Sequence, residues 1–188
     1  DQDGDNNETN VFQKGDLNSI VASQDGNLNT TTISQDGLHS SPDGGMSNQI
    51  TVSITGNENT TTVDQFGNGN KVNVTVDYYG DASTVAEFNQ INVDQDGDNN
   101  WGMLNNIKGA SNTVDLIQTG NGNREYVQIF GSSNHVDIAA LGNNNRGSWI
   151  LRGNANLNDL DVVMDGDGNR ASGDIMGDSN TVDILQQG

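Results

Sequence analysis

The chain has 188 residues, 31% of them hydrophobic and 5% aromatic, and a formal net charge of −19. That charge, against seven scattered Lys and Arg, excludes a nucleic-acid partner, whose phosphates need clustered cations. No Cys is present, which excludes disulfides and thiolate-bound metals, and no apolar run is long enough for an export signal or a membrane span.

Order then overrides composition, because the chain counts in elevens. Gly4, Gly15, Gly26 and Gly37 open the series; Gly56, Gly67, Gly80 and Gly97 continue it with steps of 19, 11, 13 and 17. Gly109, Gly120, Gly131, Gly142 and Gly153 return to elevens, as do Gly166, Gly177 and Gly188. An Asn follows most of these glycines by three residues, among them Asn18, Asn29, Asn59, Asn70, Asn112, Asn123, Asn134, Asn145 and Asn180. A fixed short period means one small unit stacked many times.

Each unit predicts a strand of about five residues, because apolar and polar side chains alternate ahead of the glycine. Two residues before it stand Gln13, Gln24, Gln35, Gln65, Gln95, Gln118 and Gln186, or elsewhere Ile54, Ile129 and Met164. Four before it stand Val11, Ile33, Val63, Val93, Leu116, Ile138 and Ile184. The slot six before it alternates: Thr9, Ile20, Thr31, Ile50, Thr61, Val74, and later Val114, Glu125, Val136, Gly147. The repeat is therefore about 22 residues, strand–turn–strand–turn. The predicted fold is all-β: a two-sheet parallel β-solenoid with two strands per coil and roughly eight coils, forming a single domain over 1–188. Residues 38–46 are expected to be a turn insertion and 80–97 an irregular repeat. There the alternation is expected to slip by one unit, with Ser83–Phe88 as a degenerate strand; with it the strand count is about sixteen.

The residues expected to matter are structural. Gln13, Gln24, Gln35, Gln65, Gln95, Gln118 and Gln186, with the asparagines named above, are expected to form amide ladders between coils. Gly15, Gly26, Gly67, Gly120, Gly131 and Gly142 are expected to make the turns, since glycine accepts positive φ and close backbone approach. The strand at 182–186 and the lattice residues from Gln2 leave both ends without a visible cap, and an uncapped top matching an uncapped bottom builds filaments. Stacked aspartates should repel, so assembly is expected to quicken as pH falls.

The unit Ser111-Asn112-Thr113-Val114-Asp115-Leu116-Ile117-Gln118-Thr119-Gly120-Asn121-Gly122-Asn123-Arg124-Glu125-Tyr126-Val127-Gln128 resembles the curlin repeat in its Ser, Gln, Gly and Asn spacing. The likeness runs from Gln2 to Gly188, although many inward Gln slots hold Ile, Leu or Met. The resemblance implies a secreted, non-enzymatic subunit that polymerises as amyloid fibres outside a bacterial cell, in a biofilm matrix. It further implies a nucleating minor subunit and an outer-membrane secretion pore as partners, besides the chain itself.

Other chemistry is weighed and set aside. No cofactor and no dedicated metal site is expected. The acidic loops at 1–7, 94–100 and 165–169 lack the EF-hand spacing. His39 and His135 are expected to be exposed turn residues. The rival reading is a monomeric acidic solenoid, such as an ice-binding or calcium-dependent adhesin segment; its flat threonine face is hinted at by Thr30–Thr32 and Thr60–Thr62.

Overall fold

The computed structural model describes residues 1–37, 47–77, 86–105, 107–152, 159–177 and 180–188. The chain forms two parallel sheets, visited in turn. The first holds β1 (Gln2–Asp3), β3 (Ser19–Asp25), β5 (Gln49–Thr55), β7 (Lys71–Val76) and β9 (Trp101–Met103) in that order. The second holds β2 (Glu8–Lys14), β4 (Thr30–Asp36), β6 (Thr60–Phe66), β8 (Gln90–Asp96), β10 (Thr113–Thr119), β11 (His135–Leu141), β12 (Val162–Asp165) and β13 (Ile184–Gln187). Up to β10 each strand pairs with the strand two further along the chain, so the two sheets face each other as a flattened coil; β10, β11, β12 and β13 then pair in succession, because the stretches between them run along the first sheet.

Beyond β9 the first sheet continues as a less regular ladder. Glu125 N–H donates to Trp101 O at 2.9 Å, Gly147 N–H to Arg124 O at 2.9 Å and Ala171 N–H to Arg146 O at 2.9 Å. Gly102, Gly147 and Gly173 fall on these paths, and glycine weakens strand geometry while leaving hydrogen bonding intact.

Register follows from the inward columns. Val114, Leu116 and Gln118 of β10 are buried, and they lie between Ile91, Val93, Gln95 of β8 and Val136, Ile138, Ala140 of β11. A slip of one residue would expose all of them, which pins the pairing. Each buried Val, Leu or Ile contributes roughly 1.5–3 kcal/mol; the core is thin, and the number of coils makes up for it.

Two expectations are corrected. The alternation does not slip near residue 90: β8 pairs with β6 as β6 pairs with β4. The glycine lattice misleads at Gly80, because Val72 pairs with Ile50, and Val74 with Val52. Val74 thus lies two residues from the place the glycine count gives it. The turn position after Gly56 belongs to Ala86, whose carbonyl accepts Asn57 N–H at 3.1 Å. Residues 86–88 are not a strand, and Ser83 lies outside the described residues, as do Gly80, His39, Gly153 and the expected insertion at 38–46.

Candidate functional site

The turns and inward amides form a lattice running the length of the molecule. At turns such as those of Gly4, Gly15, Gly67, Gly97 and Gly120 the glycine backs onto the glycine one coil further on; Gly56 backs onto Ala86. A Cβ on Gly120 would lie 2.1 Å from Gly142 O, and one on Gly15 1.8 Å from Gly37 O; their φ angles are +106° and +94°. Close approach and the left-handed backbone both demand glycine there. Gly120→Ala is expected to destabilise the fold by about 2 kcal/mol or more, measurable as a lowered denaturation midpoint. Gly26, Gly67 and Gly142 share this geometry, whereas Gly131 offers its carbonyl to the turn before it without a positive φ of its own.

The asparagine three residues later holds that glycine carbonyl. Asn123 Nδ2 donates to Gly142 O at 2.9 Å and to its own turn at Thr119 O, 3.3 Å. Its Oδ1 accepts the backbone N–H of Asn145 at 3.0 Å. Asn29, Asn59, Asn112 and Asn134 form one such column and Asn70, Asn123 and Asn145 the other. The asparagines therefore bond the neighbouring coil's backbone, in addition to their own copies. Asn89, three residues after Ala86, belongs to the first column; the missing glycine hid it from the lattice count. Asn18 closes its turn onto Lys14 O at 2.7 Å, and Asn180 bonds Met176 O and Gly177 O at 2.7 Å each.

Gln13, Gln35, Gln65, Gln95 and Gln118 form one continuous ladder. Each Nε2 donates to the next Oε1, at 3.2, 3.0, 2.8 and 2.6 Å. The same amides reach across the coil to the opposite sheet, as from Gln118 Nε2 to Trp101 O at 3.3 Å. Ala140 and Met164 continue the column beyond Gln118, so Gln186 stands apart from this ladder and bonds Arg170 O at 2.7 Å. Gln24 lies in the other sheet, between Gln2 and the Thr9 and Thr31 hydroxyls.

Among the described residues one inward side chain is ionisable. Glu125 is 1% exposed, with Oε2 accepting from Trp149 Nε1 at 3.2 Å and Oε1 unpaired. Burial pushes its carboxyl up to about 8, against the opposing pull of the Trp149 and Gly147 hydrogen bonds. Gly147 makes room for it, since a Cβ there would lie 1.8 Å from Glu125 Oε2. Its inward slot was visible in the sequence; its isolation was not.

The outer faces differ in charge. On the eight-stranded sheet, Asp115, Asp137, Asp161 and Asp183 form a column, with Asp64 and Asp94 in the next. Burial, then the carboxylate of Asp64, raises Asp94, and burial raises Asp137. His135 begins β11 and is exposed on this face, not in a turn. Its Nδ1 lies 3.1 Å from Asp159 and its Nε2 3.5 Å from Asp137, and the Asp159 hydrogen bond raises its pKa. The outward threonine column at Thr32 and Thr62 gives way to Asn92 and Asp115, so the threonine face ends after two coils. Of the acidic loops, Asp98 and Asp167 spend their carboxylates on the backbone N–H groups of Asn68 and Asn143, at 2.8 and 2.7 Å.

The basic residues are not scattered. Lys71, Arg124, Arg146 and Arg170, four of the seven, stand in one exposed column of the five-stranded sheet with Trp101. Reading the sequence four residues past Gly67, Gly97, Gly120, Gly142 and Gly166 finds them.

These features define a class: a parallel two-sheet solenoid whose repeats are tied coil to coil by amide ladders. The curlin associated repeat matches residues 4–37 and 109–142, so the chain carries curlin repeats in those two segments. Neither a curated protein nor a solved structure matches it.

Proposed function

We propose that the chain is a structural, non-catalytic subunit of an extracellular curli-like fibre in a bacterial biofilm matrix, adding head to tail. A nucleating subunit and an outer-membrane pore would serve it as they do the family it resembles. One observation carries the reading: the end coils expose the columns that interior coils bury. Val11 is 51% exposed, whereas Ile33 and Val63 of the same column are 1% and 0% exposed. At the other end Ile184 and Gln186 of β13 stand at the positions that Val11 and Gln13 hold in β2. A second copy stacked there would extend both sheets in register and cover Val11.

The test is assembly of the purified chain. Fibres with a meridional reflection near about 4.8 Å are expected, and Val11→Asp should abolish elongation while leaving the circular dichroism of the monomer unchanged. A parent chain that stays monodisperse for days under assembly conditions would overturn the reading.

A further inference from the structure

We propose that the outer face of the five-stranded sheet docks on the outer face of the eight-stranded sheet of a second copy of this chain. The contact joins Arg124, Arg146 and Arg170 of the basic column to Asp115, Asp137 and Asp161 of the aspartate column, and so places filaments side by side.

Among the described residues no acidic side chain pairs with the basic column; the ion pairs involve Lys14, His135 and Arg152. Arg124, Arg146 and Arg170 follow one another in adjacent coils. Like charges stacked directly opposite are destabilising, and an external anion relieves that. The aspartate column carries the matching excess: Asp115, Asp137 and Asp161 stack in adjacent coils, and burial, then Asp115 and Asp161, oppose ionisation of Asp137 against the pull of His135.

Spacing selects the partner. Both columns advance by one residue per coil, about 4.8 Å, and Arg124–Arg146–Arg170 and Asp115–Asp137–Asp161 each cover three consecutive coils. Two copies with parallel axes therefore match charge to charge over the whole run. A flexible polyanion does not hold its charges on a rigid ladder of this spacing, whereas a second copy does. Apolar surface sits beside both columns: Ile117 and Val163 are 43% and 36% exposed beside the aspartates, and Trp101 is 39% exposed within the basic column. These supply an interface centre between the charges. The two faces lie on opposite sides of the coil, so the contact is heterologous and stays open, building rows.

The contact uses outer faces, whereas end-to-end addition uses coil edges, so the two proposals fail separately. The test compares the full chain with R124E/R146E/R170E by sedimentation and by fibre width in electron microscopy. The variant is expected to lose lateral pairing while keeping the parent's circular dichroism. D115R/D137R/D161R should lose it too, and an equimolar mixture of the two variants should restore it. In the parent, pairing should vanish near about 1 M salt, where the screening length is about 3 Å. Pairing of the parent that persists unchanged at that salt would overturn the proposal whether or not the variants fold. So would a triple variant that associates like the parent. A parent chain that stays unpaired, yet binds immobilised heparin through these arginines, would overturn it in favour of a polyanion.

Discussion

Replacing Glu125 by Gln is expected to flatten the pH dependence of stability between pH 5 and pH 8. The carboxyl sits between the two sheets, with Trp149 Nε1 as its one side-chain donor and the second oxygen unpaired. Its pKa is about 8 in the folded chain against an ordinary 4.5. A carboxyl raised in this way favours folding in acid: its contribution is complete below pH 4.5 and is lost as pH rises through 8. At 1.36 kcal/mol per unit, the loss between pH 5 and pH 8 is roughly 3–4 kcal/mol. The amide of Gln keeps an acceptor for Trp149 and cannot ionise, so this loss should disappear from the variant. Denaturant titrations of the soluble chain at pH 5 and pH 8 measure it; parallel curves for parent and variant would exclude Glu125 as the source. Asp94, Asp137 and His135 are shifted in the same sense and are more exposed, so a shallower slope should remain in the variant. Stability and assembly should both improve towards acid, the direction that stacked aspartates alone would give.

Asn112→Ala is expected to cost several times more than truncation of an exposed turn amide. Asn112 Nδ2 donates to Asn89 Oδ1, Lys108 O and Gly131 O at 2.9, 3.2 and 2.9 Å. Its Oδ1 accepts the N–H and the side-chain amide of Asn134 at 3.0 and 2.8 Å. Alanine would orphan the carbonyl of Gly131 and the N–H of Asn134 in a dry interior. Each orphaned group costs about 1–3 kcal/mol, so a loss of roughly 3–5 kcal/mol follows. Asn121, which lies in an exposed turn and donates its backbone N–H and side-chain amide to Asn143 Oδ1, should cost under about 1 kcal/mol when truncated. Equal losses at the two positions, measured as denaturation midpoints, would show that burial does not set the value of these amides.

Much of this architecture was legible because it repeats. The slots six, four and two residues before a glycine are inward, and Val114, Leu116 and Gln118 read as buried before any coordinate is consulted. The Asn three residues after the glycine was equally plain, though its role differs from simple copy-to-copy stacking, since backbone groups of the next coil are its main partners. Legibility failed where the marker residue failed. Ala86 stands in a glycine position and Gly80 does not, so counting glycines displaced the register of Val74. Longer-range charge was hidden for a different reason. Lys71 and Arg170 are far apart in sequence, and only the coil geometry shows that they share a column. The state of Glu125 also required the third dimension, because its isolation depends on Gly147 making room for it and on the one donor that Trp149 supplies.

The glutamine ladder has a direction. From Gln13 through Gln118 every side-chain amide donates towards the higher-numbered coil. Amide dipoles aligned in one sense add along the axis instead of cancelling, and each bond polarises the next. The column stops at Gln118, because Ala140 and Met164 follow it, so it gives each molecule an electrical orientation and leaves the two coil edges chemically unlike. Monomer arrival should therefore be faster at one tip than at the other, and an applied field should align the polymer with a definite sense.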